Sequence, residues 1–206
     1  LVPGFAFDVT VNDPDDGQPC DFSVKGKRDK ARTKLNKQKP YMLIGSPACT
    51  AFSTWMYLDE MKSKDAAGIR RATARAINHL DFVIELYYDQ LAGGRYFLHE
   101  HPEHATSWQL SQMKSLMEAE GVTKVGGDQC QYGAHIQRGP RKGDHIKKPT
   151  GFLTNPPRVA EAFSMRCSGV GGACSRTAGG RHAPGSYTHL SLQTQRRAAC
   201  PGCPRP

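Results

Sequence analysis

No apolar run in the 206 residues approaches the roughly 18 that a membrane span requires, and the mean hydropathy of −0.57 is on the polar side for a globular chain. Membrane insertion is not expected. The opening residues, LVPGFAFDV, lack both the basic start and the small-residue cleavage site of a secretory signal. They begin at Leu1 rather than Met, so the chain is expected to be cut from a longer one. A paired cysteine framework is lacking as well. The seven cysteines are an odd number, scattered until the end, which points to a reducing intracellular setting, nuclear or cytoplasmic, over a secreted one. Acidic residues are scarce in the last third: residues 138–206 hold 12 Lys+Arg against 2 Asp+Glu and carry +10, the whole chain +9, and the first 137 residues −1. A basic segment beside a near-neutral globular part is the footprint expected for a phosphate backbone, and equally that of a solvated basic tail.

Local patterns place the elements. Residues 5–11 (FAFDVTV) alternate as a short strand does and run into an Asn-Asp-Pro-Asp-Asp-Gly loop. Residues 22–38 read as a helix up to the Lys39-Pro40 stop, and residues 41–44 as a strand ended by Gly45-Ser46-Pro47. From 67 to 91, Ile69, Ala72, Ala76, Leu80, Ile84, Tyr87 or Tyr88 and Leu91 recur at helical spacing, predicting one buried face before Gly93-Gly94. A strand at 96–98, a helix over 108–120 capped by Thr106 or Ser107, and a strand at 122–125 follow. Strands of four to five residues with connections too long for hairpins predict an α/β fold with a doubly wound, mostly parallel sheet. Residues 151–155 read as a further strand and 158–165 as a short helix entered through Pro156-Pro157. From Cys167 onward Gly, Ala, Arg, Ser and Pro dominate without periodicity, so a disordered basic tail is expected. Composition divides the chain into a domain at 1–155 and a short helix with a low-complexity tail at 156–206.

Ligands of open α/β sheets gather at the carboxyl ends of the strands, which singles out Asp8, Cys49, Glu100 and Asp128. The segment LIGSPACTAFS, residues 43–53, resembles the catalytic loop of DNA (cytosine-5)-methyltransferases through Gly45, Pro47, Cys49, Phe52 and Ser53. RYFLHEHP, residues 95–102, is similar to that family's next strand, with Glu100 in the place of its glutamate, and Asp128 to Gly133 (DQCQYG) resembles its Tyr-Gly turn. The resemblance spans residues 5 to about 155 and is closest to methyltransferase-like reading frames of mobile elements. It implies a partial Rossmann-like domain, with Cys49 as the nucleophile that adds to carbon 6 of cytosine and Glu100 as the group that pairs with the flipped base. It further implies S-adenosylmethionine as cofactor beside Asp8 and Pro47, and DNA as partner through Gln137, Arg138 and Arg141. Ala48, Thr50 and the His-Pro after Glu100 depart from the family pattern. The Phe-x-Gly-x-Gly cofactor loop is not found, and the chain is expected to begin after it.

Plainer readings stand beside these. A lone cysteine after a strand also serves as a small buried hydrophobe, and a non-catalytic nucleic-acid-binding remnant or an RNA cytosine-5 methyltransferase fits the same residues. His99 and His101 share a strand face that Glu100 does not, which disfavours a His-Glu-His metal site and leaves a polar loop with solvated histidine as the expectation around His99, His101 and His104. Cys167, Cys174, His182, His189, Cys200 and Cys203 include ligand types for zinc, but irregular spacing argues against it, and no metal is expected. Tyr87, Tyr88, Tyr96 and Phe97 read as core residues before base-stacking ones.

Overall fold

The computed structural model describes residues 4–53, 65–177 and 179–183. Its first helix, α1 (Lys25–Gln38), has little apolar surface: Ala31 and Leu35, four residues apart on one face, are its buried positions. It ends at Lys39, which takes the left-handed conformation at φ 43° ahead of Pro40. The lysines of α1 hold the aspartate loop before it, with Lys30 Nζ 2.6 Å from Asp13 and Lys27 Nζ 2.6 Å from Asp16. The Lys30 hydrogen bond holds the Asp13 carboxyl down at about 2. Upstream, the strand expected over 5–11 does not form. Asp8 Oδ1 accepts from the backbone N–H and the hydroxyl of Thr10 at 2.8 and 2.7 Å, a local turn that competes with pairing to a neighbour.

The long helix α2 (Ala66–Ala92) starts where the Asp65 carboxylate accepts from Gly68 N–H at 2.8 Å. Its C-terminal half buries two faces rather than the expected one. Leu80, Val83, Ile84 and Tyr87 join the main core with Phe97, Trp108, Met113 and Leu153. Phe82 and Leu86 pack instead against Ala31 and Leu35 of α1. The period-3.6 pattern of the sequence registers only the first of these stripes, because the second is two residues wide.

Four strands, β1 (Met42–Gly45), β2 (Tyr96–Pro102), β3 (Thr123–Asp128) and β4 (Pro149–Thr154), form one sheet in the order β1-β2-β4-β3. The crossover through α2 makes β1 and β2 parallel, with Gly45 opposite His99. The sheet is mixed rather than mostly parallel, because β4 enters between β2 and β3 and runs antiparallel to β2, pairing His99 with Leu153 and His101 with Gly151. Strand β2 extends to Pro102, so the polar loop expected around His99 and His101 is replaced by strand, and both imidazoles are fully buried. The helix expected over 108–120 is also shorter. Residues Thr106–Gln109 form a 3-10 turn, Leu110 is extended, and α3 (Ser111–Met117) follows. The turn is fixed by the Trp108 indole N–H, which donates to Pro102 O at 2.8 Å. A further short helix, α4 (Pro157–Ala162), opens with proline in its first turn. No helix among the described residues is long and apolar enough to cross a membrane.

The chain divides into two compact units. The first comprises residues 1–126 and 150–164, the second 127–149 with the chain from 165 onward. Composition draws a single boundary at 155, whereas the contacts draw three. In the second unit, residues 167–177 and 179–183 are ordered by packing where a disordered tail was expected: Cys167, Cys174 and Ala183 are buried. Residues 184–206, with His189, Cys200 and Cys203, lie outside the described residues.

Burial, with His101 beside it, holds the His99 imidazole well below the usual histidine range. Its Nδ1 meets the Tyr87 hydroxyl at 3.1 Å and its Nε2 has no partner among the described residues, so there is nothing to stabilise a second ring proton. The unfolded chain takes up a proton below about pH 6.5 that the native ring refuses. Stability from His99 is therefore fully present above that pH and is lost as the pH falls, at up to ~1.4 kcal/mol per pH unit. Urea midpoints at pH 7.5, 6.5 and 5.5 are expected to fall more steeply for the wild type than for His99→Gln; parallel profiles would refute this.

Candidate functional site at the mouth of β1 and β2

The chain leaves β1 through Gly45, and residues 46–53 fold back over the end of β2. Hydrogen bonds from the Ser46 hydroxyl and to the Pro47 and Phe52 carbonyls tie this loop down. The Ser46 hydroxyl donates to Glu100 Oε2 at 2.6 Å. One residue on, the Pro47 carbonyl oxygen is 3.2 Å from His101 Nε2. A carbonyl only accepts, so Nε2 of His101 carries the proton and, in the neutral ring, Nδ1 accepts from the Ser107 hydroxyl at 2.7 Å. Farther along, the Thr106 hydroxyl donates to Phe52 O at 3.2 Å, and the Phe52 ring is buried in the main core, 5.7 Å from the His101 ring.

Between these anchors stands Cys49. Its carbonyl accepts from Phe52 N–H at 3.0 Å and begins the 3-10 turn Thr50–Phe52. The thiol is half-buried, neither sealed in the core nor presented on an open surface. Parallel pairing of β1 and β2 thus brings the Cys49 loop and Glu100 to the same end of the sheet, and the Ser46 contact orients the Glu100 carboxyl within it. Glu100 is itself buried. His99 and His101 lie on the opposite face of β2 from Glu100, against Trp108 at ring separations of 5.4 and 6.2 Å. His104 is exposed.

Other residues singled out by sequence fall elsewhere. Asp8 closes its turn on Thr10 and does not stand at a strand end. Asp128 ends β3 buried, accepting from Cys167 N–H at 2.8 Å with Arg166 3.7 Å away, which makes it a positioning residue for 166–167. Residues Gln129–Tyr132 form a 3-10 turn that ends at Gly133 with φ 87°, and the Tyr132 hydroxyl accepts from Met165 N–H at 2.9 Å. Gln137, Arg138 and Arg141 sit at the tip of a hairpin closed by hydrogen bonds between Ile136 and both Gly143 and Asp144. Gln137 and Arg138 are exposed there, and Arg141 pairs with Asp144 at 3.3 Å. Tyr87 and Phe97 stack in the core at 4.5 Å, whereas Tyr88 is exposed.

Sequence reasoning missed two features. His101 supports the Cys49 loop, and the continued alternation of HEHP after Leu98 is the signal that extends the strand to include it. Cys130, read only as part of the Tyr-Gly turn, lies with Cys167, Cys174 and His182 in one group whose ligand atoms are all within 4.8 Å of one another. Set against family models, curated proteins and solved structures, the chain matches none.

Proposed function

We propose that the mouth of β1 and β2 is a pyrimidine site of the cytosine-5 methyltransferase type, in which Cys49 adds to carbon 6 of a cytosine in DNA and Glu100 recognises the base. The observation that carries this reading is the anchoring of the Cys49 loop directly on Glu100 and its neighbour, through Ser46 to Glu100 at 2.6 Å and Pro47 to His101 at 3.2 Å. Adding a thiolate to an aromatic ring requires a sulfur held at a fixed height above it and a group beside the ring to take up the charge. The Cys49 sulfur forms the bond to carbon 6, the electron pair of the 5,6 double bond moves into the ring, and the proton that leaves the thiol reaches the ring nitrogen through the Glu100 carboxyl. Reversal carries that proton back through Glu100 and releases the Cys49 thiol. A doubly wound, Rossmann-like arrangement is the finer form of the α/β fold that this reading calls for.

S-Adenosylmethionine is the cofactor of this reading and supplies an electrophilic methyl carbon when bound. The residues assigned to it by resemblance do not form a cradle among the described residues: Asp8 Oδ1 is engaged by Thr10, and Pro47 O by His101. Base recognition and thiolate addition call only on Glu100 and Cys49. Phosphate contacts fall to Arg138 and Arg141 at the hairpin tip, with the exposed Gln137 beside them. A nucleic-acid-binding remnant without catalysis is favoured by the same misfit at Asp8.

The two readings separate with a single-stranded oligonucleotide carrying 2-pyrimidinone in place of cytosine, which traps a thiolate added at carbon 6. The wild type is expected to form an adduct stable to denaturing electrophoresis. Cys49→Ser should form none, and Glu100→Gln at least tenfold less. Wild-type binding without any adduct would leave only the remnant. Matched DNA and RNA probes decide between the two nucleic acids.

A further inference from the structure

The described residues of the second unit, 127–149, 165–177 and 179–183, enclose little apolar side chain. Its described hydrophobic cluster is Ala134, Ile136, Ile146 and Ala183, too little side-chain area to hold so many residues of loop in place. Its other buried group is made of sulfur. Cys130 is fully buried, Cys167 and Cys174 nearly so, and all three are free thiols. The Cys167 and Cys174 sulfurs are 4.0 Å apart, and Cys167 Sγ is 3.5 Å from His182 Nε2. A tetrahedral zinc ion, with bonds near 2.3 Å to sulfur and 2.0–2.1 Å to nitrogen, separates two sulfurs by about 3.8 Å and a sulfur from a nitrogen by about 3.6 Å. Both spacings match.

We propose that Cys130, Cys167, Cys174 and His182 bind one zinc ion in a closed structural site that folds this unit. Three elements deliver the ligands. The 3-10 turn Gln129–Tyr132 carries Cys130. Asp128 fixes the backbone at Cys167. A small antiparallel bridge, Ala173 to Arg181, brings Cys174 and His182 together, with Cys174 N–H donating to Gly180 O at 2.8 Å and His182 N–H to Gly172 O at 2.6 Å. Donors converge on the sulfurs, as anionic ligands require: the Ser175 backbone N–H and hydroxyl each reach Cys167 Sγ at 3.4 Å, and the Gln131 amide reaches Cys130 and Cys174 Sγ at 3.7 Å. A Cys3His set leaves no open position for substrate, so the ion has a folding role and takes no part in chemistry at Cys49.

The test uses the full chain purified under reducing conditions without chelator. Metal analysis is expected to find one zinc per chain. Replacement by cobalt(II) should give the visible bands of a tetrahedral ion and a thiolate-to-metal band in the near ultraviolet. Cys174→Ser should lower bound zinc to background, and His182→Cys, which keeps four ligands, should retain zinc with a stronger thiolate band. Cys49→Ser and the Cys200→Ser/Cys203→Ser double variant should each keep the wild-type stoichiometry. A ligand variant can fail by misfolding, so the wild type decides: no bound zinc after reconstitution, or no tetrahedral cobalt spectrum, overturns the proposal. Loss of zinc in the Cys200/Cys203 variant with retention in Cys174→Ser overturns it equally. A chain that binds zinc yet forms no adduct with 2-pyrimidinone leaves this site standing and removes only the pyrimidine reading.

Discussion

Trp108→Ala is expected to destabilise the chain by about 3–5 kcal/mol, a large part of the total for a domain of ordinary stability. Trp108 is 2% exposed and is the largest of the fully enclosed side chains. One edge of its ring lies over Gly151 of β4, where an added Cβ would stand 2.7 Å from Cζ2. The other surroundings are His99 and His101 of β2, and Lys124 Nζ caps the ring at 4.2 Å from its centre. Truncation therefore opens a cavity against two strands at once and deletes the indole bond to Pro102 O. It also removes the wall behind His101, the residue that supports Pro47. Urea denaturation measures the loss; a change below about 1.5 kcal/mol would mean that the site collapses and that Trp108 is not the keystone of the packing.

Gly45→Ala is the second large effect, about 2–3 kcal/mol, and it arises from overpacking. A Cβ at residue 45 would collide with the Tyr87 hydroxyl and lie 3.0 Å from its ring carbon Cζ. Tyr87 cannot swing aside: it is fully buried, stacked on Phe97 at 4.5 Å and bonded to His99 at 3.1 Å. Either β1 lifts or the Tyr87–His99 bond breaks. The diagnostic is a double-mutant cycle with Tyr87→Phe, which removes the colliding oxygen. The pair is expected to be more stable than the sum of the single changes predicts, by at least about 1 kcal/mol. Strict additivity would show that this close approach does not govern the cost. Because Gly45 begins the Cys49 loop, adduct yield should fall with stability in Gly45→Ala and recover with it in the double variant.

The amino-acid sequence by itself determined the elements whose signals are local. Apolar periodicity and the Gly93-Gly94 stop mark α2, Lys39-Pro40 ends α1, and short β-prone runs mark β1, β2 and β4. It also determined that the Cys49 loop and the Glu100 strand lie on either side of the helix that is α2, and parallel pairing of the two flanking strands gives them a shared sheet end. Where a local rule competed with another, the reading failed: the alternation at 5–11 gives way to the Asp8–Thr10 turn, and HEHP, polar by composition, is buried strand, with Tyr87 at His99 Nδ1, Ser107 at His101 Nδ1 and Trp108 packed on both rings.

Tertiary structure alone decided the neighbours. That β4 enters antiparallel between β2 and β3 rests on Gly151 accommodating Trp108 and on Asn155 bonding Phe97 N–H at 2.9 Å, contacts between residues far apart in the chain. The same holds for Cys130, whose neighbours Cys167, Cys174 and His182 follow no short ligand spacing and are gathered by the Asp128 contact and the Ala173–Arg181 bridge. Periodicity and breakers act within a few residues and survive in the unfolded chain, whereas side-chain complementarity across the fold has no sequence period to betray it.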